Sequence, residues 1–164
     1  MKKIIFSVLS VLILTTPSIT LAIDELTFIA SYIDGSAGID GLSNANSVAI
    51  SPDGNHVYVS GRGEGEMAVF SRNTTTGVLT FVEVHSSNIS TPQEVTVSPD
   101  GANVYLATAY GDNIIVYTRN ETTGQLTFLE QITGLDFAIS VNVSPDSNNV
   151  YVTHFNDFAI SVYG

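Results

Sequence analysis

Apolar residues recur along this chain in short runs, and the runs themselves recur. Val57-Tyr58-Val59, Val104-Tyr105-Leu106 and Val150-Tyr151-Val152 each follow a Ser-Pro-Asp tripeptide that starts at residue 51, 98 or 144. The intervals are 47 and 46 residues. Other segments keep step with them. Val69-Phe70-Ser71-Arg72-Asn73 returns as Val116-Tyr117-Thr118-Arg119-Asn120, and Val162-Tyr163 opens a third version. Thr76-Gly77-Val78-Leu79-Thr80-Phe81 returns as Thr123-Gly124-Gln125-Leu126-Thr127-Phe128, while Leu26-Thr27-Phe28 stands alone upstream. A fixed period in this range indicates a propeller or solenoid.

Each repeat reads as four short strands. In the second, Glu94–Ser98, Val104–Thr108, Ile114–Arg119 and Leu126–Gln131 are the predicted strands. They are rich in β-branched and aromatic residues and show no helical period. Pro and Asp suit the centre of the Ser-Pro-Asp-Gly turn, and Gly accepts the positive φ that follows. The third repeat carries Ser147 where the others have Gly54 and Gly101. A positive φ would cost a non-glycine residue on the order of 1 kcal/mol, so the third turn is expected to be built differently. Strands one and two are apolar on both faces, as blades stacked face to face require. The fold class expected is therefore all-β: propeller blades of four antiparallel strands, about three of them. They form a partial propeller or half of a six-bladed ring made by a dimer.

Composition adds a compartment and excludes some partners. Lys2 and Lys3, an apolar run from Ile4 to Leu14, Pro17 and the small residues before Ile23 read as a signal peptide over 1–22. The repeat domain then occupies 23–164, and the protein is expected to be exported, periplasmic or extracellular, with no membrane span after cleavage. Removing that segment removes both lysines and leaves Arg62, Arg72 and Arg119 against sixteen acidic residues. Such a body repels phosphate backbones, so nucleic acid is not an expected partner. The chain has no cysteine, hence no disulfide and no thiol chemistry.

"VSPDGANVYLAT" followed by "NIIVYTRNETTGQLTF" resembles the blade repeat of the YVTN and lactonase-type β-propellers. The resemblance covers nearly all of 24–164 and rests on turn and core residues. It implies a propeller. Its members include sugar-lactone hydrolases similar to 6-phosphogluconolactonase and secreted repeat proteins without known catalysis.

Propellers usually close with roughly four to eight blades, and this chain has material for three. It begins with a fourth-type strand at 26–31 and closes with a third-type strand at 158–163. Pairing of these two segments between copies would give a six-bladed ring from a head-to-tail dimer. A fragment of a longer array and an open monomer are the competing readings.

Candidate chemistry is sparse. Loops between strands two and three should converge with those leading into strand one at a channel mouth. Arg62, Glu64, Glu66, Asp112, Asn113, His154 and Asp157 are the binding candidates there, for a protein or a small polar ligand. His154 and Asp157 could form a proton-moving pair. His56 and His85 read as surface residues. Asp34 to Gly41 invites a calcium reading but lacks the alternating ligands of an EF-hand loop. No metal or other cofactor is assigned, and no catalytic elbow, phosphate loop or dinucleotide fingerprint is present. The expected function is a secreted binding or scaffold module without turnover. The alternatives are a lactonase-like hydrolase and a truncated propeller fragment.

Overall fold

A computed structural model describes residues 26–86 and 89–164. The proposed signal segment lies outside the described residues. Among the described residues eleven strands form three antiparallel sheets. The first blade holds β1 (Ala45–Ile50), β2 (His56–Gly61), β3 (Glu66–Arg72) and β4 (Leu79–His85). The second holds β5 (Pro92–Val97), β6 (Asn103–Thr108), β7 (Asn113–Arg119) and β8 (Leu126–Thr133). The third holds β9 (Ala138–Val143), β10 (Val150–His154) and β11 (Ala159–Tyr163). Each sheet is ordered as its strands follow in sequence, so every connection is a hairpin.

The hairpins are closed by one repeated device. The Ser51, Ser98 and Ser144 hydroxyls each donate to the Asp two residues on, at 2.5 Å, and accept from the amide of residue 56, 103 or 149. The Ser-Pro-Asp signature is thus a turn lock. The third turn is not built differently. Ser147 takes φ 59°, and its amide reaches Ser144 O at 2.8 Å, as Gly54 and Gly101 do in their turns. The ladder on either side holds the geometry, and the left-handed cost is carried by the sheet.

Apolar side chains meet between blades. Tyr58, Met67 and Val69 of the first pack on Val95, Leu106 and Tyr117 of the second. Ala107 and Ile114 of the second pack on Val141 and Val152 of the third. Fully burying side chains of this size contributes roughly 1.5–3 kcal/mol each, so sheet-on-sheet stacking is the main stabilising term. Both faces of the middle blade are covered at β6 and β7, whose side chains are mostly buried, whereas its outer strand β8 is largely exposed.

Residues 26–31, expected as a strand, belong to no strand ladder. A strand needs a neighbour to supply its hydrogen bonds. This segment instead lies over the first blade, where Tyr32 stacks on Phe70 with ring centroids 5.9 Å apart.

Candidate functional site

Strand register decides which loops share an end. Ala45 faces Gly61, Gly61 faces Glu66, and Met67 faces His85. The loops between strands two and three and the residues leading into strand one therefore lie together, opposite the Ser-Pro-Asp turns. Backbone bonds tie the two sets. The Arg62, Ala109 and Phe155 amides donate to the carbonyls of Asn44, Thr91 and Phe137 at 3.2, 3.0 and 3.0 Å. Asn44, Thr91 and Phe137 all have φ between 51° and 59°. That left-handed step turns the chain from the mouth into each inner strand.

The sequence-level candidates separate into four places. Arg62 lies in an open hollow of about 480 Å³ with Asn44, Ala45, Asn46 and Thr91. Its side chain is exposed and makes no hydrogen bond among the described residues. Asn46 Nδ2 also donates to Gln93 O, binding the rims of blades one and two. Glu64 comes together with Asp34 and Asp40, each offering a carboxylate oxygen within 4.8 Å of the others. Asp34 and Asp40 accept from the Leu42 and Gly41 amides. Burial raises the Glu66 carboxyl above its ordinary range, and the charges of Asp40, Glu64 and Asp34 raise it further.

Asp112 reaches the segment that enters the third blade, while Asn113 serves its own turn. Asp112 accepts from the Phe137 amide at 3.0 Å, and buried Asn113 bonds Thr108 Oγ1 and Gly111 O. His154 is buried in the third blade, with Nδ1 3.4 Å from Asp157 Oδ2 and no partner for Nε2 among the described residues. The third-blade pair and the Arg62 hollow belong to different blades.

One polar network was not foreseen. Arg119 of the second blade reaches the first, donating to Tyr58 Oη at 2.9 Å and Asp53 Oδ2 at 2.6 Å, and meeting His56 Nδ1 at 2.8 Å. His56 is therefore an interior residue, not the surface histidine its turn position suggested. Nor is His85 a bare surface residue. It bonds Glu83 at 2.8 Å and lies over Tyr117 with centroids 5.2 Å apart. Burial pushes the Tyr117 phenol up to about 12. Burial alone would raise the Asp53 carboxyl, but hydrogen bonds from Ser51 and Arg119 hold it far below its usual range. Burial and then the Arg119 charge lower the His56 imidazole. The repeat held a signal for this network. Arg72 and Arg119 recur in register, and so do Asp53, Asp100 and Asp146.

Comparison with known proteins adds the family. Residues 10–143 match the lactonase family of 7-bladed β-propellers. Among curated proteins no match is found. A candidate 6-phosphogluconolactonase from Bacteroides fragilis superposes with a TM-score of 0.68 at 18% identity, over 74% of this chain and 35% of that one. The periplasmic gluconolactonase of Pseudomonas aeruginosa gives 0.67 at 19%, over 74% and 35%. Hydrazine synthase of Kuenenia stuttgartiensis gives 0.59 at 23%, over 80% and 36%. The chain thus spans about a third of the length of these structures, and at such identities the likeness is one of fold. The family match overturns the expectation of a scaffold module without turnover, which rested on the lack of a recognisable catalytic motif. Propeller sites are assembled from separate loops, and a linear motif does not record them. With three stacked blades, the Ser-Pro-Asp turn locks and a match over most of its length, the chain belongs to the lactonase, 7-bladed β-propeller family.

Proposed function

We propose that this protein hydrolyses a sugar lactone bearing an anionic or strongly polar substituent, at the mouth that holds Arg62. One observation carries the reading beyond family membership. Arg72 and Arg119 donate to backbone carbonyls of blade turns, whereas the Arg62 guanidinium points into an open polar hollow. On a body this acidic, an exposed arginine beside Asn44, Asn46 and Thr91 is the group able to hold an anion or a polarised carbonyl. Water would add to the lactone carbonyl, the ring C–O bond would break, and the ring oxygen would leave as a hydroxyl. Arg62 would stabilise negative charge on the carbonyl oxygen, and the proton of the attacking water would pass to the leaving ring oxygen.

Turnover of gluconolactone and of its 6-phosphate by purified protein, followed as acid release, tests the reading. Arg62→Ala is expected to lower kcat/KM about tenfold to a hundredfold, the loss of one charge-assisted hydrogen bond. Background rates with both lactones from folded protein would remove the proposal.

A further inference from the structure

The interface between blades one and two is a template for one that is only half present. In the template, His85 of outer strand β4 stacks on Tyr117, and Glu83 accepts from the Leu126 amide at 2.8 Å. Arg119 crosses back to Asp53 and Tyr58. On the other face of blade one, Tyr32 stacks on Phe70, the repeat mate of Tyr117. Tyr32 Oη accepts from Leu79, the mate of Leu126, at 2.6 Å. Residues 26–33 therefore sit where the outer strand of a preceding blade would sit, without that blade's other three strands. Among the described residues β11 pairs with β10 alone, and no outer strand follows it in the third sheet.

The exposed apolar positions agree. Val48 is 63% exposed, whereas its mates Val95 and Val141 are 3% and 1%, because each of those has a preceding blade against it. Ile160 is 62% exposed, whereas its mate Met67 is fully buried beneath a following blade. Val162 is 56% exposed and its mate Val69 fully buried. The two uncovered faces are the two halves of one interface type. Charge is also complementary. Among the described residues the Arg72 guanidinium, mate of Arg119, donates to Gly54 O alone, and Asp146 and Tyr151 are the mates of Asp53 and Tyr58.

We infer that a second copy of this chain covers these surfaces. Its sheet β9–β11 stacks on blade one, β11 pairs with residues 26–33, and two such contacts close a ring of six blades, one fewer than the family description gives. The template register then places Phe28 opposite Tyr163, Ala30 opposite Val162, Ser31 opposite Ser161 and Tyr32 opposite Ile160. It follows from Phe81 facing Phe70, Glu83 facing Val69, Val84 facing Ala68 and His85 facing Met67. Arg72 of one copy meets Asp146 and Tyr151 of the other. The contact is head to tail, and in a ring of two it leaves neither apolar face exposed.

Light scattering on the unaltered chain needs no variant, and a mass of two chains is expected. The chain contains no cysteine, so a disulfide between introduced residues is unambiguous. Ser31→Cys protein is mixed with Ser161→Cys protein and oxidised. A covalent pair joining the two variants is expected, while Ser31→Cys mixed with Val162→Cys, one residue out of register, should couple poorly. A monomeric mass at all concentrations would overturn the inference. So would a mass other than two chains, or a two-chain mass without the 31–161 bond. None of these readouts depends on lactone turnover.

Discussion

Arg119 shows how one side chain can hold two blades together. It brings a buried guanidinium to a carboxylate, a phenol, an imidazole and a carbonyl. Breaking such a pair leaves an uncompensated partner and typically costs about 3–5 kcal/mol. Arg119→Met should therefore lower the denaturant midpoint strongly, at the low end of that range because Asp53 keeps some contact with water. The pH dependence has a definite sign. The Asp53 carboxyl is depressed in the fold, so its contribution is present above the unfolded value of 3.8 and lost as pH falls through the folded one. His56 is depressed too, so its contribution starts to fall away below 6.5. Stability of the parent chain should thus fall in two stages from neutral pH towards strong acid. Arg119→Met should flatten the lower stage, read from unfolding midpoints between pH 7 and 2. An unchanged acid slope would mean that Asp53 draws its stabilisation from Ser51 and the Asn55 amide.

Among the elements, the turns between strands two and three carry the clearest strain. Gly65, Asp112 and Phe158 occupy matching positions with φ of 71°, 49° and 53°. Glycine takes this conformation without penalty and asparagine or aspartate at modest cost, but a bulky aromatic side chain does not. Phe158 is also 95% exposed, so removing its ring forfeits little packing. Phe158→Gly should then stabilise the chain by about 1 kcal/mol, seen as a higher urea midpoint at unchanged slope. A lower midpoint would show that the phenyl ring is covered in solution. At Ser147 the balance differs. Its hydroxyl accepts from the Asp100 amide at 3.0 Å, so relief of φ on Ser147→Gly is offset by a lost bond between blades two and three.

At the scale of the whole molecule, the three described blades leave two apolar faces and one unpaired edge, a liability that proteins in water cover. A ring of two copies covers all three and places two Arg62 hollows on one face of the channel. Arg72 is the residue on which that assembly can be separated from the fold. In the template its mate joins two blades, but among the described residues of one chain Arg72 holds Gly54 O alone. Arg72→Ala is expected to weaken association by tenfold or more while leaving thermal stability of the separated chain nearly unchanged, since losing one partner of an interfacial charge pair costs about 2–5 kcal/mol. Sedimentation over a dilution series together with a melting curve would read both. A fall in melting temperature without any change in association would assign Arg72 to its own turn.

The repeat, its period, the strand positions and the turn chemistry were legible in the linear chain. In the second blade the predicted strands begin within two residues of the observed ones. Periodicity of side chains and turn residues is a local property, and a hairpin is set by local rules. The candidate site was legible only in part. Register alone shows which loops share an end, but not that Glu64 meets Asp34 and Asp40 across more than twenty residues. Nor could order along the chain show that His56 lies beneath Arg119, that Asn113 is bound up in its own turn, or that Tyr32 occupies an outer-strand place on blade one. These facts depend on blade-to-blade stacking, which brings together residues from different repeats. The sequence by itself determined what each blade is. Tertiary packing decided which polar groups are joined between blades and which are left facing the mouth, because only the stacked fold sets the distances on which hydrogen bonds and charge depend.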